Sequence, residues 1–186
     1  FMILVIFSVS TYTMISPLTA QGSKYSFLYK WGSQGVSVGQ FAQPFAIAID
    51  TNDDVCVTDT TSETNNVQKF TKNGTFVTSW NISRITDDPF TNARGIGIDS
   101  LNNIYVTGGA STNTAVQKFT NNGTFVSSWG STGLGDGEFT SPAWVTIDSA
   151  DNVYVGDFGE NNRIQKFDSN GTFIAKWGGP GTSDGQ

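Results

Sequence analysis

The chain has no histidine, a single cysteine and only 14% charged residues among its 186. Without imidazole, a zinc centre of the usual nitrogen-ligated kind lacks its ligands. With Cys56 alone, no disulfide forms within the chain, and its place in the repeat described below marks it as a buried spectator. Positive charge is scarce too: ten Lys and Arg stand against sixteen Asp and Glu, a formal charge of -6. A nucleic-acid partner demands a basic stripe that displaces counterions from phosphates, and the few basic residues here are scattered. No segment shows the apolar spacing of an amphipathic helix.

Aromatic residues and glycine are abundant instead. Fourteen Phe, five Trp and 21 Gly suit short strands joined by tight turns. They recur in register. Gln-Lys-Phe stands at 68–70, 117–119 and 165–167, followed each time by Asn-Gly-Thr-Phe and then a Trp. Phe41, Phe90 and Phe139 are 49 residues apart, as are Asp50, Asp99 and Asp148, while Trp31, Trp80, Trp129 and Trp177 are separated by 49, 49 and 48. A unit of that period stacks on copies of itself to bury its apolar faces.

The first twenty residues differ in kind. Phe1 to Ala20 carries no charge, opens on the apolar run Met2 to Phe7 and closes on Pro17-Leu18-Thr19-Ala20, the outline of a secretory signal peptide cut after Ala20. It lacks a basic leading region. The alternative is a membrane anchor left uncleaved, although Ser8, Ser10, Thr11 and Thr13 dilute the segment below a spanning helix. Either reading predicts a secreted or cell-surface protein, with membrane contact only through that leader.

Each unit resolves into four strand signals. In the third copy these are 144–148, 152–156, 163–167 and 172–177. An Asp-x-x-x-Asn or Asp-x-x-x-Asp turn joins the first pair, its short polar side chains capping the turn locally. Asn73-Gly74, Asn122-Gly123 and Asn170-Gly171 join the third to the fourth as hairpin turns whose central residues need positive φ. Glycine-rich linkers such as 130–138 read as neither strand nor helix. The fold class is all-β, with antiparallel four-stranded units.

The pattern Phe-x-x-Pro-x-Gly-Ile-x-Ile-Asp, then Asn-Val-Tyr-Val-x-Asp, then Asn-x-Arg-Ile-Gln-Lys-Phe resembles the NHL-repeat β-propellers. The third copy carries it through Phe139, Pro142, Ile147, Asp148, Asn152, Tyr154, Asp157, Asn162, Arg163, Ile164 and Phe167, and the first keeps Phe41, Pro44, Asp50 and Asp59. The second departs most, with Ala93 at the proline position and Gly108 at the aspartate position. The resemblance covers residues 24–186 and implies a partial propeller. Its parts are an orphan outer strand at 24–32, blades at 41–80, 90–129 and 139–177, and the start of a further linker at 178–186. Because the resemblance implies six blades, or about 290 residues at this period, the chain is expected to be a fragment, or alternatively to self-associate as two half-rings. Three blades alone would leave an apolar sheet face bare at each end.

In propellers of this kind the first strands line an axial channel and the loops 32–43, 60–66, 81–92, 109–115, 130–142 and 158–162 crowd one face. At the channel mouth the copies differ: Phe45, Arg94 and Ala143 are equivalent, as are Ala46, Gly95 and Trp144. Variation on a rigid scaffold is where recognition lives, so Phe45, Arg94 and Trp144 are the candidate ligand-binding residues, Trp144 being suited to stack a sugar or grip a peptide side chain. The alternative is that Trp144 merely fills the channel. Asp59 and Asp157 are expected to brace the loop between second and third strands by accepting backbone hydrogen bonds, with Asn162 beside them. No catalytic residue and no metal ligand is assigned. The acidic pairs Asp53-Asp54 and Asp87-Asp88 match no calcium loop and read as turns or solvated surface. Asn73, Asn81, Asn122 and Asn170 satisfy the glycosylation pattern Asn-x-Ser/Thr.

The function this favours is an extracellular binding scaffold that takes a protein or carbohydrate ligand on its loop face, without a cofactor. The resemblance also allows an alternative, a calcium-dependent lyase or hydrolase with further site residues outside this chain. Cytoplasmic relatives that end tripartite-motif ubiquitin ligases and bind RNA are opposed by the acidic charge, the leader and the lack of a RING-type cysteine cluster.

Overall fold

The computed structural model describes residues 26–60, 66–82, 92–110 and 113–185. The leader at 1–20, Phe90 and the Asp87-Asp88 pair lie outside them. Among the described residues every element is a strand. Three antiparallel sheets of four strands follow one another in chain order. The first comprises Pro44–Ile49, Val55–Asp59, Val67–Phe70 and Phe76–Trp80, and the second Ile96–Ile98, Ile104–Ala110, Asn113–Phe119 and Phe125–Trp129. The third comprises Pro142–Ile147, Val153–Asp157, Arg163–Phe167 and Phe173–Gly178.

Sheets stack face to face. Cys56 and Val67 of the first pack against Ile96, Ile104 and Val106 of the second. Tyr105 and Val116 of the second in turn meet Val145, Val153 and Val155 of the third. Equivalent residues from all three copies, Asp50, Asp99 and Asp148 with the neighbouring Ile49, Ile98 and Ile147, line one cavity of about 340 Å³. The first strands therefore converge on a common axis, and the sheets are blades of a partial propeller.

Each letter of the Gln-Lys-Phe signature has a structural reason. The glutamine pins the incoming linker: Gln68 donates to the Gln40 carbonyl (2.6 Å) and accepts from the Gly39 amide (2.8 Å), and Gln165 does the same with Glu138 and Gly137. The phenylalanine, as Phe70, Phe119 or Phe167, is fully buried core. The lysine pairs with the turn aspartate of its own blade, as Lys69–Asp50, Lys118–Asp99 and Lys166–Asp148. Those aspartates cap their turns as expected: Asp50 accepts from the amides of Asn52 and Asp54, Asp99 from Leu101 and Asn103, and Asp148 from Ala150 and Asn152.

Three local expectations are corrected. In the Asn-Gly turns only the glycine takes positive φ (81° at Gly74, 86° at Gly123, 88° at Gly171), and the bond from the Gly74 amide to the Thr71 carbonyl makes a longer turn than a two-residue hairpin. Glycine is needed there twice over, since a Cβ on any of the three would lie within 2.7 Å of the Trp31, Trp80 or Trp129 indole of the preceding repeat. The linkers also contain strand pairing: Ser33–Gln34 runs parallel to Gln40–Phe41, and Ser131–Thr132 to Glu138–Phe139. Residues 26–32, read as an orphan strand, form no ladder among the described residues. Trp31 nonetheless takes the position of its equivalents, on the turn glycine of the blade that follows.

Cys56 sits between the first two sheets with no solvent exposure, and burial pushes its thiol up to about 12. The native protein should therefore fail to react with a thiol reagent at pH 8, and titrate one thiol per chain once denatured. Rapid labelling of the folded protein would contradict this packing.

Candidate binding site on the loop face of the second and third sheets

Phe45 and Ala143 fall where the register of the inner strand shifts, between Pro44 and Ala46 in one blade and between Pro142 and Trp144 in the other. Arg94 occupies the same place in the second blade, its amide bonding the Thr107 carbonyl just before the strand begins. The variable residues are thus carried on a bulge, a device that re-aims side chains without breaking the sheet.

Two of the three sequence-predicted ligand residues are brought together, through a residue that sequence reasoning missed. The Arg94 guanidinium lies 5.6 Å from the centroid of the Phe158 ring, and that ring lies 5.9 Å from Trp144 at 53°. Arg94 Nη1 also donates to Ser141 Oγ at 2.8 Å. Phe158 replaces Thr60 and Gly109 of the other copies, a difference visible in the repeat alignment. Phe45, exposed on the first sheet, has no ring contact with this group among the described residues.

Trp144 does not fill the axial channel. It lies on the outward face of the third sheet, 59% exposed, with Cε3 about 3.4 Å from where a Cβ on Gly156 would stand. The paired row across that face is Trp144, Gly156, Ile164 and Trp177. In the first two blades the equivalent rows are Ala46, Thr58, Val67, Trp80 and Gly95, Thr107, Val116, Trp129. The first two positions have exchanged bulk: tryptophan enters where a small residue stood, and glycine makes room for it. The exchange removes a threonine whose counterpart, Thr58, donates to the Arg94 carbonyl of the next blade at 2.5 Å. Between this face and the segment 178–185 lies a cavity of about 1040 Å³, lined by Trp144, Phe158, Asn162, Ile164 and Trp177. Exposed apolar residues mark both terminal faces, Ile47 and Ile49 on the first sheet and Ile164 and Trp177 on the third.

Among the described residues, the backbone amides that the two aspartate carboxylates accept from belong to a different loop from the one expected. Asp59 accepts from the amides of Ala42 (2.7 Å) and Gln43 (2.6 Å), and Asp157 from Thr140 (3.0 Å) and Ser141 (2.7 Å), so both tie down the linker entering their own blade. The bond from the loop between second and third strands comes from Asn161, whose Nδ2 donates to Asp157 Oδ2 at 2.5 Å. Asn162 instead adopts positive φ (42°) and lines the cavity. Because Asp157 fixes Ser141 and Ser141 holds Arg94, the buried carboxylate positions the guanidinium at one remove.

The remaining candidates separate cleanly. Asp54 joins Lys69 at 3.3 Å and Asp53 joins Lys72 at 3.6 Å. Among the described residues no three Cys, Asp or Glu side chains are grouped to hold a metal ion. Asn73, Asn81, Asn122 and Asn170 are all exposed, three of them at the tips of the Asn-Gly turns.

The profile of the NHL repeat matches residues 139–167, and that of a β-propeller repeat matches residues 89–113. No curated protein matches the chain. Among solved structures it is similar to a gluconolactonase from Xanthomonas campestris, at 15% identity over 78% of this chain and 52% of that one, with a TM-score of 0.52. It is also similar to the Dos1 propeller, at 12% identity over 74% of this chain and 35% of that one, with a TM-score of 0.50. The chain thus spans about half, or less, of the length of the structures it matches. At these identities the likeness is one of fold, and with it go one NHL repeat match and one β-propeller repeat match within a propeller-like arrangement of sheets.

Proposed function

We propose that this chain is part of an extracellular binding scaffold that takes a carbohydrate or protein ligand at the junction of its second and third blades. The observation that carries the reading is the convergence of Arg94, Phe158 and Trp144, three positions at which otherwise regular copies differ, on a rigid β-scaffold. Screening the protein against glycan and peptide panels should yield a ligand whose affinity falls at least about tenfold in Trp144→Ala and in Phe158→Ala, since aromatic anchors dominate such sites. Circular dichroism controls for folding. A ligand indifferent to both substitutions would place recognition elsewhere.

Export is the companion proposal. It rests on the uncharged leader and on four exposed acceptor asparagines. Intact mass of the protein from its native source is expected to exceed the polypeptide mass by whole glycans.

A calcium-dependent lyase or hydrolase is the second reading. Its support is the likeness in fold to a gluconolactonase. Lactone hydrolysis that is lost to a chelator and restored by calcium would promote it over the scaffold.

A further inference from the structure

We infer that Asn73 and Asn170 are sites of spontaneous isoaspartate formation, and that the equivalent Asn122 is protected by side chains of its own blade. All three asparagines precede glycine, and all three are exposed at the tip of the turn between third and fourth strands. In such a pair the glycine nitrogen attacks the asparagine Cγ. The N–Cγ bond forms, the Cγ–Nδ2 bond breaks, and ammonia leaves with the proton that the glycine nitrogen gives up. Water then opens the cyclic imide at either carbonyl, giving aspartate or isoaspartate. Glycine permits the attack because no Cβ crowds its nitrogen. Water is the only co-reactant.

The three copies are alike at the backbone and differ at the side chain. Gly74, Gly123 and Gly171 each donate their amide to the carbonyl three residues back, on Thr71 (2.8 Å), Thr120 (3.0 Å) and Asp168 (3.0 Å), which slows attack in all three turns. Asn122 Oδ1 in addition accepts from Thr120 Oγ1 (2.5 Å), Thr124 Oγ1 (3.0 Å) and the Thr124 amide (3.3 Å). Rotating that carboxamide onto the glycine nitrogen breaks these bonds. Among the described residues the carboxamides of Asn73 and Asn170 have no hydrogen-bond partner. At Asn170 the cause is in the sequence: Asp168 replaces Thr120, and its carboxylate accepts from the Asn170 and Thr172 amides but has no proton to give. In the first blade the Thr71 hydroxyl accepts from the Thr75 amide and does not reach Asn73. Isoaspartate at 170 would insert a methylene into the backbone beside Gly171, where a Cβ would already stand 2.5 Å from the Trp129 ring. Trp129 packs on Tyr105 and Phe167 at the seam of the second and third blades, so conversion of Asn170 loosens that seam.

Incubating the whole chain at pH 8, made in a host that adds no glycans, and mapping its peptides by mass spectrometry tests this. Asn73 and Asn170 should convert at least about tenfold faster than Asn122 in the folded protein, the effect of losing a hydrogen bond or two on the way to attack. In urea the three should convert at one common, faster rate, because their neighbours are nearly the same: Lys-Asn-Gly-Thr, Asn-Asn-Gly-Thr and Ser-Asn-Gly-Thr. Thr120→Val removes one of the bonds that hold Asn122 and should raise its rate toward the other two, with thermal melting as the control for fold. Native conversion of Asn122 as fast as the others would overturn the protection. If urea releases all three and the folded chain converts neither Asn73 nor Asn170, the sites themselves are wrong. A converted protein with an unchanged melting curve would remove the consequence for the seam.

Discussion

Replacing Lys69 by methionine is expected to destabilise the fold by about 3–5 kcal/mol, because it strands a carboxylate whose partner was buried with it. Lys69 Nζ lies 2.8 Å from Asp50 Oδ2, with the two side chains 5% and 0% exposed, and it also bonds Asn121 on the following blade. The pair is closer than its repeat equivalents for a reason that lies one strand away. In the second and third blades Tyr105 and Tyr154 donate to Oδ2 of Asp99 and Asp148 at 3.0 Å, and the lysines stand back at 3.8 and 3.6 Å, over the tyrosine rings. The first blade has Cys56 at that position, so Lys69 takes the carboxylate directly.

The loss carries a pH signature. Burial opposes ionisation of Asp50, but the bonds from Lys69 and from the amides of Asp54 and Asn52 outweigh it and hold the carboxyl below its ordinary range. Lys69 is likewise opposed by burial, and raised above its ordinary value by Asp50. Stability from the depressed carboxyl is complete above its unfolded pKa of about 4 and lost as pH falls through the folded value. Stability from the raised amine is complete below about 10.4 and lost as pH climbs through the folded value. Without Lys69 the carboxyl protonates more readily, so the deficit of Lys69→Met should shrink between neutral pH and pH 4. Thermal melting across that range checks it, with a drop of roughly 10 °C expected at pH 7. Lys176→Met, at the exposed pair with Asp136, is the control and should leave the melting curve in place. A deficit equal at every pH would show that methionine disturbs packing and not charge.

Gly95→Val should separate the second blade from the third, at about 3 kcal/mol for overpacking against atoms that cannot yield. A Cβ there would stand 2.7 Å from the Ala143 carbonyl oxygen, 2.8 Å from Thr107 Oγ1 and 2.9 Å from Trp144 Cα. Two of those atoms are backbone. The equivalent position of the third blade already carries Trp144, which Gly156 accommodates, so Trp144→Gly is expected to cost the fold little while removing the exposed ring. Melting of both variants, with limited proteolysis to detect a loosened third blade, decides the point. Unchanged stability in Gly95→Val would mean that the blades do not approach as closely as this.

Much of this arrangement was legible in the repeat itself. Strand positions, the aspartate-capped turns and the burial of Cys56 follow from residues that recur in step, because copies that pack alike must keep the same side chains facing inward. Legibility failed where a contact crosses between copies. The Asn-Gly turns read as two-residue hairpins because nothing local announces the indole that each glycine receives. The repeat points Asp59 and Asp157 to the nearer loop, whereas the amides they satisfy among the described residues belong to a linker some seventeen residues upstream. Phe158 carried a signal, its difference from Thr60 and Gly109, that only a copy-by-copy comparison exposes.

The order of residues alone determined the blade unit, its period, and the exclusion of internal disulfides and imidazole-bound zinc, since these depend on composition and on spacing that every copy shares. Tertiary structure decided which irregular residues meet. Arg94, Ser141, Trp144 and Phe158 come from two blades with no common local pattern, and they converge only because stacked sheets carry the loops of adjacent copies to the same end of a common axis.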